Sequence, residues 1–171
     1  MKKTFSITII TLLVLVDQLL KIIIDLWLRP IHHYVLADHV LSLTYVENRG
    51  AAFGMLQNQR WFFIILTLAV VGIGIYYILA NKVKSDYLLV CFLLIIAGGV
   101  GNLIDRIFRG YVIDYIEFLF VRFAVFNFAD ILVTLGAVLL IGWLLFHGTE
   151  DKKAGKLEIE LQSAEDKECC E

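Results

Sequence analysis

Two aspartates follow a long apolar run, and a third lies within the next apolar run. Asp105 and Asp114 are nine positions apart in "IDRIFRGYVIDY", which overlaps the end of the uncharged stretch "YLLVCFLLIIAGGVGNLI". Asp130 follows in "FNFADILVTLG". Two carboxylates held close together cannot both ionise at low cost, so one keeps its proton and the pair can act as base and acid. These residues therefore favour carboxylate-driven attack of water on a carbonyl.

Other polar residues fall at the same depth of the apolar segments as these aspartates. They are Asn48, Asn102, Arg106 and Asn127. Such groups beside a carboxylate pair could position a peptide backbone and stabilise a developing oxyanion. Ser42 is the only serine at this depth, and no Ser–His or Cys–His arrangement is indicated there. The histidines lie in the first loop or at the opposite end of the helices: His32, His33, His39 and His147.

The sequence around Asp130 allows two interpretations. Asn127 lies three positions before it and would share its helical face. Asn127 or Asp130 could open the last helix as a cap, and the helix dipole favours an acid in the first turn. Alternatively, Asp130 is a functional carboxylate. Its neighbours leave both open, and the gathering of polar residues at this depth favours function.

Asp17 and Lys21 are charges inside the first apolar segment, and the spacing predicts that they pair. They are four positions apart with the acid first, which is the favourable order on a helix. An unpaired charge inside a membrane span costs about 3 kcal/mol or more. We therefore expect a structural pair that also ties the loops to the first helix.

The composition indicates a membrane protein. The 171 residues are 60% hydrophobic and only 19% charged, which is too little charge to cover a soluble domain. Crossing a bilayer takes roughly 20 apolar residues, and four segments qualify. They are residues 5–24, 61–80, 87–104 and 123–146. The outer loops, 25–60 and 105–122, contain β-prone stretches, with a short strand predicted over 40–46.

Lysines predict the orientation of the four spans. They fall before the first span, between the second and third, and after the fourth: Lys2, Lys3, Lys82, Lys84, Lys152, Lys153 and Lys156. Short loops rich in lysine and arginine stay in the cytoplasm, so both termini are predicted to be cytoplasmic. The membrane domain then spans 1–147, and the charged residues 148–171 form a flexible cytoplasmic tail.

Other classes of segment and site are disfavoured. The N-terminus could be a cleaved signal peptide, but "DQLLKIIIDLW" follows where small residues should mark the cleavage site. We therefore expect a retained helix. Three cysteines, Cys91, Cys169 and Cys170, give neither a disulfide framework nor a zinc site. No basic patch suggests nucleic acid.

Five motifs resemble those of the lipoprotein signal peptidase family, also called signal peptidase II. They are "DQLLK", "NRGAAFG", "GGVGNLIDR", "VIDYIEF" and "FNFAD". Each motif is weakly specific by itself, but all five come in the family's order on the family's four-helix topology. The tail after Gly148 is unmatched. One departure is slight: Tyr115 follows Asp114 where phenylalanine is common.

The resemblance implies a multi-pass aspartic endopeptidase of the bacterial cell (inner) membrane. Its substrate would be a prolipoprotein whose lipobox cysteine carries diacylglycerol, with the cut just before that cysteine. It implies no metal or other cofactor and inhibition by globomycin-type cyclic peptides. We expect a monomer embedded in the lipid bilayer. The fold would be four transmembrane helices with a small outward-facing β-cradle and a loop that closes over substrate.

The resemblance also implies a role for each residue that matches the motifs. The catalytic pair carries over to Asp114 and Asp130. The substrate-binding residues carry over to Asn48, Asn102, Arg106 and Asn127. Supporting positions in the same motifs are Asp17, Lys21, Gly50, Asp105 and Ala129.

Local electrostatics also favour Asp114 over Asp105 as the partner of Asp130. Arg106 follows Asp105 directly, and its guanidinium would keep that carboxylate ionised and a poor proton donor. Asp114 has apolar and aromatic neighbours, which raise the pKa of a carboxylate. The resemblance carries more weight here than the electrostatics.

Two rival functions belong to other classes. A small transporter or channel component could carry a proton or ion on Asp130, but the polar cluster lies near one membrane face and no inverted repeat is evident. A non-catalytic assembly subunit could use the cluster to lock its helices together. Cleavage of a lipidated prolipoprotein by the purified protein separates all three functions.

Overall fold

The described residues form four helices and three short strands. The computed structural model describes residues 2–51, 55–83 and 85–146, with the backbone alone for residues 2 and 3. The helices are α1 (Lys2–Trp27), α2 (Arg60–Leu79), α3 (Asp86–Phe108) and α4 (Phe128–Phe146). The strands are β1 (His33–Ala37), β2 (Leu41–Asn48) and β3 (Val112–Phe118).

Each helix contains a stretch long and apolar enough to cross a membrane, as the sequence predicts. Many large apolar side chains on α1, α2 and α4 are exposed, which suits contact with lipid rather than water. Helix α3 differs, because 44% of its span is buried inside the protein against 17% for each of the others. It is therefore the central helix, against which the others pack.

The helix boundaries differ from the sequence-based expectation at two places that affect the site. Helix α3 continues to Phe108 instead of ending at 104, so Asp105 and Arg106 lie in its last turns. Helix α4 begins at Phe128 instead of 123, because the preceding segment is extended and Phe126 forms a β-bridge with Ile116. The predicted tail, 148–171, lies outside the described residues, as do Lys84 and His147.

The strands form one antiparallel sheet in the order β1-β2-β3. The predicted strand over 40–46 corresponds to β2, whereas β1 was not predicted. Tyr45 and Leu43 of β2 pack on a buried cluster that includes Ile24 of α1, Leu28 just after α1 and Ile113 of β3. This apolar contact fixes the sheet on the C-terminal end of α1 and places β3 beside the end of α3 and the start of α4.

Glycines of α3 allow the close approach of its neighbours. A Cβ atom at Gly98 would lie 2.3 Å from the carbonyl oxygen of Ala129 at the start of α4. At Gly101 it would lie 2.5 Å from Oδ2 of Asp17 on α1. Both distances are shorter than any side chain tolerates, so glycine at these positions brings α1 and the start of α4 against α3.

Candidate active site

Asp114 lies at the centre of β3 and is buried, with 2% of its surface exposed. Its Oδ1 accepts a hydrogen bond of 2.6 Å from Nδ2 of Asn127. Its Oδ2 accepts one of 2.8 Å from Nδ2 of Asn48, the last residue of β2. The antiparallel register places Asn48 opposite Val112, close enough along the sheet to reach Asp114. Both oxygens are therefore held by amide donors.

The pKa of Asp114 is raised from its usual 3.8 to about 7. Burial is the larger cause, and the negative charge of Asp130 is the second. The hydrogen bonds from Asn48 and Asn127 act in the opposite direction, as does the charge of Lys21. Desolvation and a second carboxylate outweigh these donors. Asp114 therefore exchanges its proton near neutral pH, which suits a group that shares a proton with a neighbour.

Asp130 is both a helix-capping residue and a member of the polar cluster. It occupies the third position of α4 and forms a capping box with Asn127. Oδ2 of Asp130 accepts from the backbone N–H of Asn127 at 3.1 Å, and Oδ1 of Asn127 accepts from the backbone N–H of Asp130 at 3.0 Å. The remaining oxygen, Oδ1 of Asp130, accepts from Nδ2 of Asn102 at 2.7 Å. The two interpretations left open by the sequence are therefore compatible.

Asn127 connects the two carboxylates. Its side-chain amide donates to Asp114 and its backbone N–H donates to Asp130. It is fully buried, and its Nδ2 also donates to Oδ1 of Asn102 at 3.2 Å. Asp114 and Asp130 are thus parts of one hydrogen-bonded unit built from β3, α3 and the start of α4.

Lys21 of α1 holds this hydrogen-bonded unit through Asn102. Its ammonium donates to three oxygens: Oδ2 of Asp105 at 2.8 Å, Oδ1 of Asn102 at 2.9 Å and Oδ2 of Asp17 at 3.0 Å. An ammonium has three donors, and all three are used. The pair expected between Asp17 and Lys21 is present and extends to α3. Because Lys21 occupies the oxygen of the Asn102 side chain, the NH₂ group of that amide must point to Asp130.

Asp17 reaches the start of α4. Its Oδ1 accepts from the backbone N–H of Ala129 at 3.1 Å, one of the donors that a helix N-terminus leaves unsatisfied. Ala129 is completely buried, and the positive end of the dipole of α4 stabilises a carboxylate at this place. Asp17 therefore positions the turn that carries Asp130.

The expected contact between Asp105 and Arg106 is wrong. Asp105 is completely buried and contacts Lys21 instead, while Nε of Arg109 lies 3.5 Å from its other oxygen. Arg106 points elsewhere and donates to the carbonyl oxygens of Gly50 at 3.2 Å and Asn102 at 3.4 Å. Successive residues of a helix face different directions, which explains the difference.

Arg106 and Gly50 define one side of a groove beside the carboxylates. The guanidinium of Arg106 stacks 5.0 Å from the ring of Phe63 on α2. The backbone N–H of Gly50 donates to Oδ1 of Asn48 at 2.9 Å, which links this turn to the residue that holds Asp114. A side chain at Gly50 would collide with the carbonyl oxygen of Met55, 2.5 Å from the Cβ position.

The groove has a volume of about 750 Å³ and is largely apolar. Asp114, Asp130 and Arg106 are its charged lining residues. One wall is aromatic and was not predicted; it consists of Phe118, Phe123 and Phe126. The other wall is the face of α4 that includes Ile131, Leu135 and Val138. The closely spaced phenylalanines of "FLFVRFAVFNF" are the sequence signal for the aromatic wall.

The described residues include no group of three or more His, Cys, Asp or Glu side chains arranged to hold a metal ion. The acidic oxygens of the site are instead occupied by amide, ammonium and backbone N–H donors. The arrangement can hold two carboxylates, one of them protonated, at the polar end of an apolar groove.

A family model described as signal peptidase (SPase) II matches residues 9–146, which is most of the chain. The chain belongs to the signal peptidase II family. Among curated proteins, it is similar to the lipoprotein signal peptidase of Streptococcus thermophilus (strain CNRZ 1066), with 45% identity over 129 residues, covering 69% of this chain and 82% of the relative.

Further relatives support this membership. The lipoprotein signal peptidase of Streptococcus pyogenes serotype M5 (strain Manfredo) is 43% identical over 143 residues, covering 82% of this chain and 93% of the relative. A solved structure described as "Bacterial membrane enzyme structure by the in meso method at 2.3 A resolution" superimposes with a TM-score of 0.79 at 32% identity, over 86% of this chain and 91% of that one. A second, described in the same words at 1.9 Å, gives 0.74 at 33% identity, over 83% and 93%.

Membership of the signal peptidase II family, four membrane-spanning helices and these neighbours establish a multi-pass bacterial membrane peptidase. The resemblance and the mostly helical fold class predicted from the sequence are thereby confirmed. The structure brings together Asn48, Asn102, Arg106, Asp114, Asn127 and Asp130 around the groove. It places Asp17, Lys21 and Asp105 on the opposite side of Asn102, toward α1.

Proposed function

We propose that this peptidase removes the signal peptides of diacylglyceryl-modified prolipoproteins by cutting before the lipobox cysteine, with Asp114 and Asp130 as the catalytic pair. Cleavage of lipoprotein signal peptides follows from the family. The observation that carries the two-aspartate mechanism is Asn127, which joins two carboxylates at the mouth of an apolar groove. No nucleic acid or cofactor takes part in this reaction.

The mechanism uses the two protonation states of the pair. The ionised carboxylate takes a proton from a water molecule, which attacks the carbonyl carbon of the scissile peptide. The protonated carboxyl donates a hydrogen bond to the carbonyl oxygen as negative charge develops there. The tetrahedral intermediate then collapses, and a proton passes to the leaving amine. The fixed amides of Asn48, Asn102 and Asn127 keep both carboxylates in place throughout.

The proposed substrate-binding residues divide into two groups by their contacts. The amide donors of Asn48, Asn102 and Asn127 are directed at the carboxylates, so these residues orient the catalytic pair, and Asn48 also lines the groove. Arg106 borders the groove and has five N–H donors. The observed contacts use two of them, one on Nη1 and one on Nη2. It is the residue best placed to bind the substrate backbone. Gly50 supports the site by permitting the close approach of the Met55 carbonyl, and Ala129 supports it by donating its backbone N–H to Asp17.

The apolar walls of the groove suit a lipidated substrate. A lipid-modified cysteine remains anchored in the bilayer, so its scissile bond lies near the membrane surface. The groove continues along α4 toward Val138, within a membrane span. Acyl chains can therefore stay in an apolar environment while the peptide bond meets the carboxylates. Globomycin-type cyclic peptides would inhibit by occupying the same groove, and one chain supplies both aspartates, so a monomer suffices.

Cleavage by the purified protein tests the proposal. We expect the protein in detergent or liposomes to cut a diacylglyceryl-modified prolipoprotein before the modified cysteine, and globomycin to stop the reaction. The unlipidated precursor is the matched control and should be cut poorly. A folded protein that leaves the lipidated precursor intact would favour the transporter or assembly-subunit interpretation.

The orientation of the spans is a separate prediction. Lysines at 2–3, 82–84 and 152–156 predict that both termini are cytoplasmic, with the sheet and groove at the outer surface. Reporter fusions after Lys84 and after Lys153 should therefore both report a cytoplasmic position. A reporter that is active outside the cytoplasm at either site would contradict the four-span orientation.

The rate of cleavage should depend on pH through Asp114. Its pKa is about 7 because of burial and the charge of Asp130, so the pair holds one shared proton below that pH and loses it above. We expect kcat/KM to fall as pH rises through about 7. Glu117→Gln, at another carboxylate of β3, should leave this limb unchanged. A rate constant that stays level from about pH 6 to about pH 9 would contradict the shared proton.

A further inference from the structure

A chain of charges leads from the outer surface of the protein to the carboxylate centre. It begins at Asp25 near the end of α1, whose Oδ2 lies 3.3 Å from Nη1 of Arg109. Nε of Arg109 lies 3.5 Å from Oδ1 of Asp105, and Oδ2 of Asp105 lies 2.8 Å from Lys21. Lys21 donates to Asn102, which donates to Asp130. The motifs that match the family include neither Asp25 nor Arg109.

The buried carboxylate of Asp105 requires a positive charge beside it, and Arg109 supplies that charge. Its Oδ1 is completely buried and has no hydrogen bond within the described part of the chain. A buried carboxylate oxygen without a donor is costly unless a cation faces it. Arg109 is that cation, and it lies four residues after Asp105 at the C-cap of α3. A positive side chain at this end also complements the dipole of α3.

The net charge of the buried ion cluster also indicates a role for Arg109. Asp17, Lys21 and Asp105 are all completely buried, and two carboxylates with one ammonium leave one negative charge uncompensated when ionised. Arg109 is only partly exposed, at 25%, and supplies the missing positive charge. Asp25 holds Arg109 from the outside, and is itself held by the hydroxyl of Tyr45 at 2.7 Å.

We propose that Arg109, anchored by Asp25, is a positioning residue of the catalytic centre, which balances the buried Asp17–Lys21–Asp105 cluster and so keeps Lys21 and Asn102 in place beneath Asp130. This inference rests on the proposed function of Asp114 and Asp130. The charged and titratable groups along this path come from every element packed there: Asp17, Lys21 and Asp25 of α1, Arg29 in the turn after α1, Tyr45 of β2, Asp105 and Arg106 of α3, Asp114 of β3 and Asp130 of α4.

The pH dependence of cleavage tests this inference. Removing the positive charge of Arg109 leaves a net negative cluster behind the catalytic pair, and negative charge makes a carboxylate harder to ionise. In Arg109→Gln we expect the limb near pH 7 to move upward by about half a unit, and kcat at the pH optimum of the variant to fall about tenfold with little change in KM. Arg109→Lys keeps the charge and should keep the wild-type profile.

Arg29→Gln is the matched control. Arg29 also contacts Asp25, at 3.6 Å, and its loss removes the same charge from the same carboxylate. It does not contact Asp105, so its variant should retain the wild-type profile. If Arg29→Gln shifts the profile as far as Arg109→Gln does, or if Arg109→Lys behaves like Arg109→Gln, the specific role of Arg109 is refuted.

A purely structural role for Arg109 has a different signature. It would lower the thermal stability of Arg109→Gln while leaving kcat and the pH profile of the folded enzyme within about twofold of wild type, and that result would overturn the proposal. If Arg109→Gln does not fold, the double variant Arg109→Gln with Asp105→Asn restores the charge balance. It should then fold and show the wild-type profile, and a double variant that is folded but shifted would refute charge balance.

The same experiment separates failure of this inference from failure of the proposed function. Asp114→Asn is assayed alongside the Arg109 variants. An active Asp114→Asn enzyme would refute the two-aspartate mechanism itself. An inactive Asp114→Asn enzyme beside an unshifted Arg109→Gln enzyme would refute only the role of Arg109.

Discussion

Asp114→Asn and Asp130→Asn should each lower turnover roughly 10³-fold or more while the protein stays folded. An amide has nearly the shape of a carboxylate but can neither take a proton from water nor share one with its partner. At Asp130, the amide oxygen can still accept the backbone N–H of Asn127, so the capping box is preserved, while Nδ2 of Asn102 loses its acceptor. At Asp114, one of the donors from Asn48 and Asn127 loses its acceptor, at a cost of about 1–3 kcal/mol. Initial rates on a lipidated prolipoprotein measure turnover, and thermal unfolding with globomycin binding reports the fold.

Glu117→Gln and Asp105→Asn are the controls for this experiment. Glu117 lies on the same strand as Asp114 and accepts hydrogen bonds from Ser42 and Thr44, away from the groove. Its amide variant should cleave at about the wild-type rate. Asp105→Asn should retain measurable turnover or lose stability, because Asp105 contacts Lys21 rather than the groove. A folded and inactive Asp105→Asn enzyme beside an active Asp114→Asn enzyme would reverse the assignment.

The spans were predictable because the bilayer imposes them on the sequence. A helix must present roughly 20 apolar residues to cross the hydrocarbon core, and that signal needs no knowledge of packing. The ends were less predictable, since hydrogen bonds rather than hydropathy set them. Helix α4 begins where Asn127 and Asp130 cap it, five residues after the apolar run starts. Helix α3 continues past the end of the uncharged run at 104 and ends before Gly110, which has a φ of 85°.

The residue types of the site were predictable, but several contacts were not. Polar residues in an apolar chain are conspicuous, so the sequence alone identified Asn48, Asp114 and Asp130 as candidates. The partner of Asp105 was missed because α3 was expected to end before it. Once Asp105 lies on a helix, Arg109 shares its face and Arg106 does not. The contact with Lys21 joins residues far apart in the chain, and only the packing of α1 on α3 reveals it.

Lys21→Met should nearly abolish the folded protein. Methionine matches the length of lysine but leaves Asp17, Asp105 and the oxygen of Asn102 without their shared donor. Removing one partner of a buried ion pair costs about 3–5 kcal/mol, and here two carboxylates lose the same cation. That is a large part of the roughly 5–15 kcal/mol that stabilises a typical domain. The yield of folded protein in membranes and its thermal unfolding in detergent measure the effect.

The matched control for Lys21→Met is Lys82→Met. Lys82 is an exposed lysine that contacts the rings of Tyr76 and Tyr77, so its loss should cost no more than about 1 kcal/mol.

Asp17→Ala should resemble Lys21→Met, with less folded enzyme but a smaller loss of turnover in what survives, because Asp17 holds Ala129 and Lys21 without facing the groove. If either variant accumulates normally and has no turnover, the ion cluster takes part in proton transfer. The charges of α1 would then belong to the catalytic machinery, and the buried Lys21 would be the link between Asp17 and the carboxylate pair.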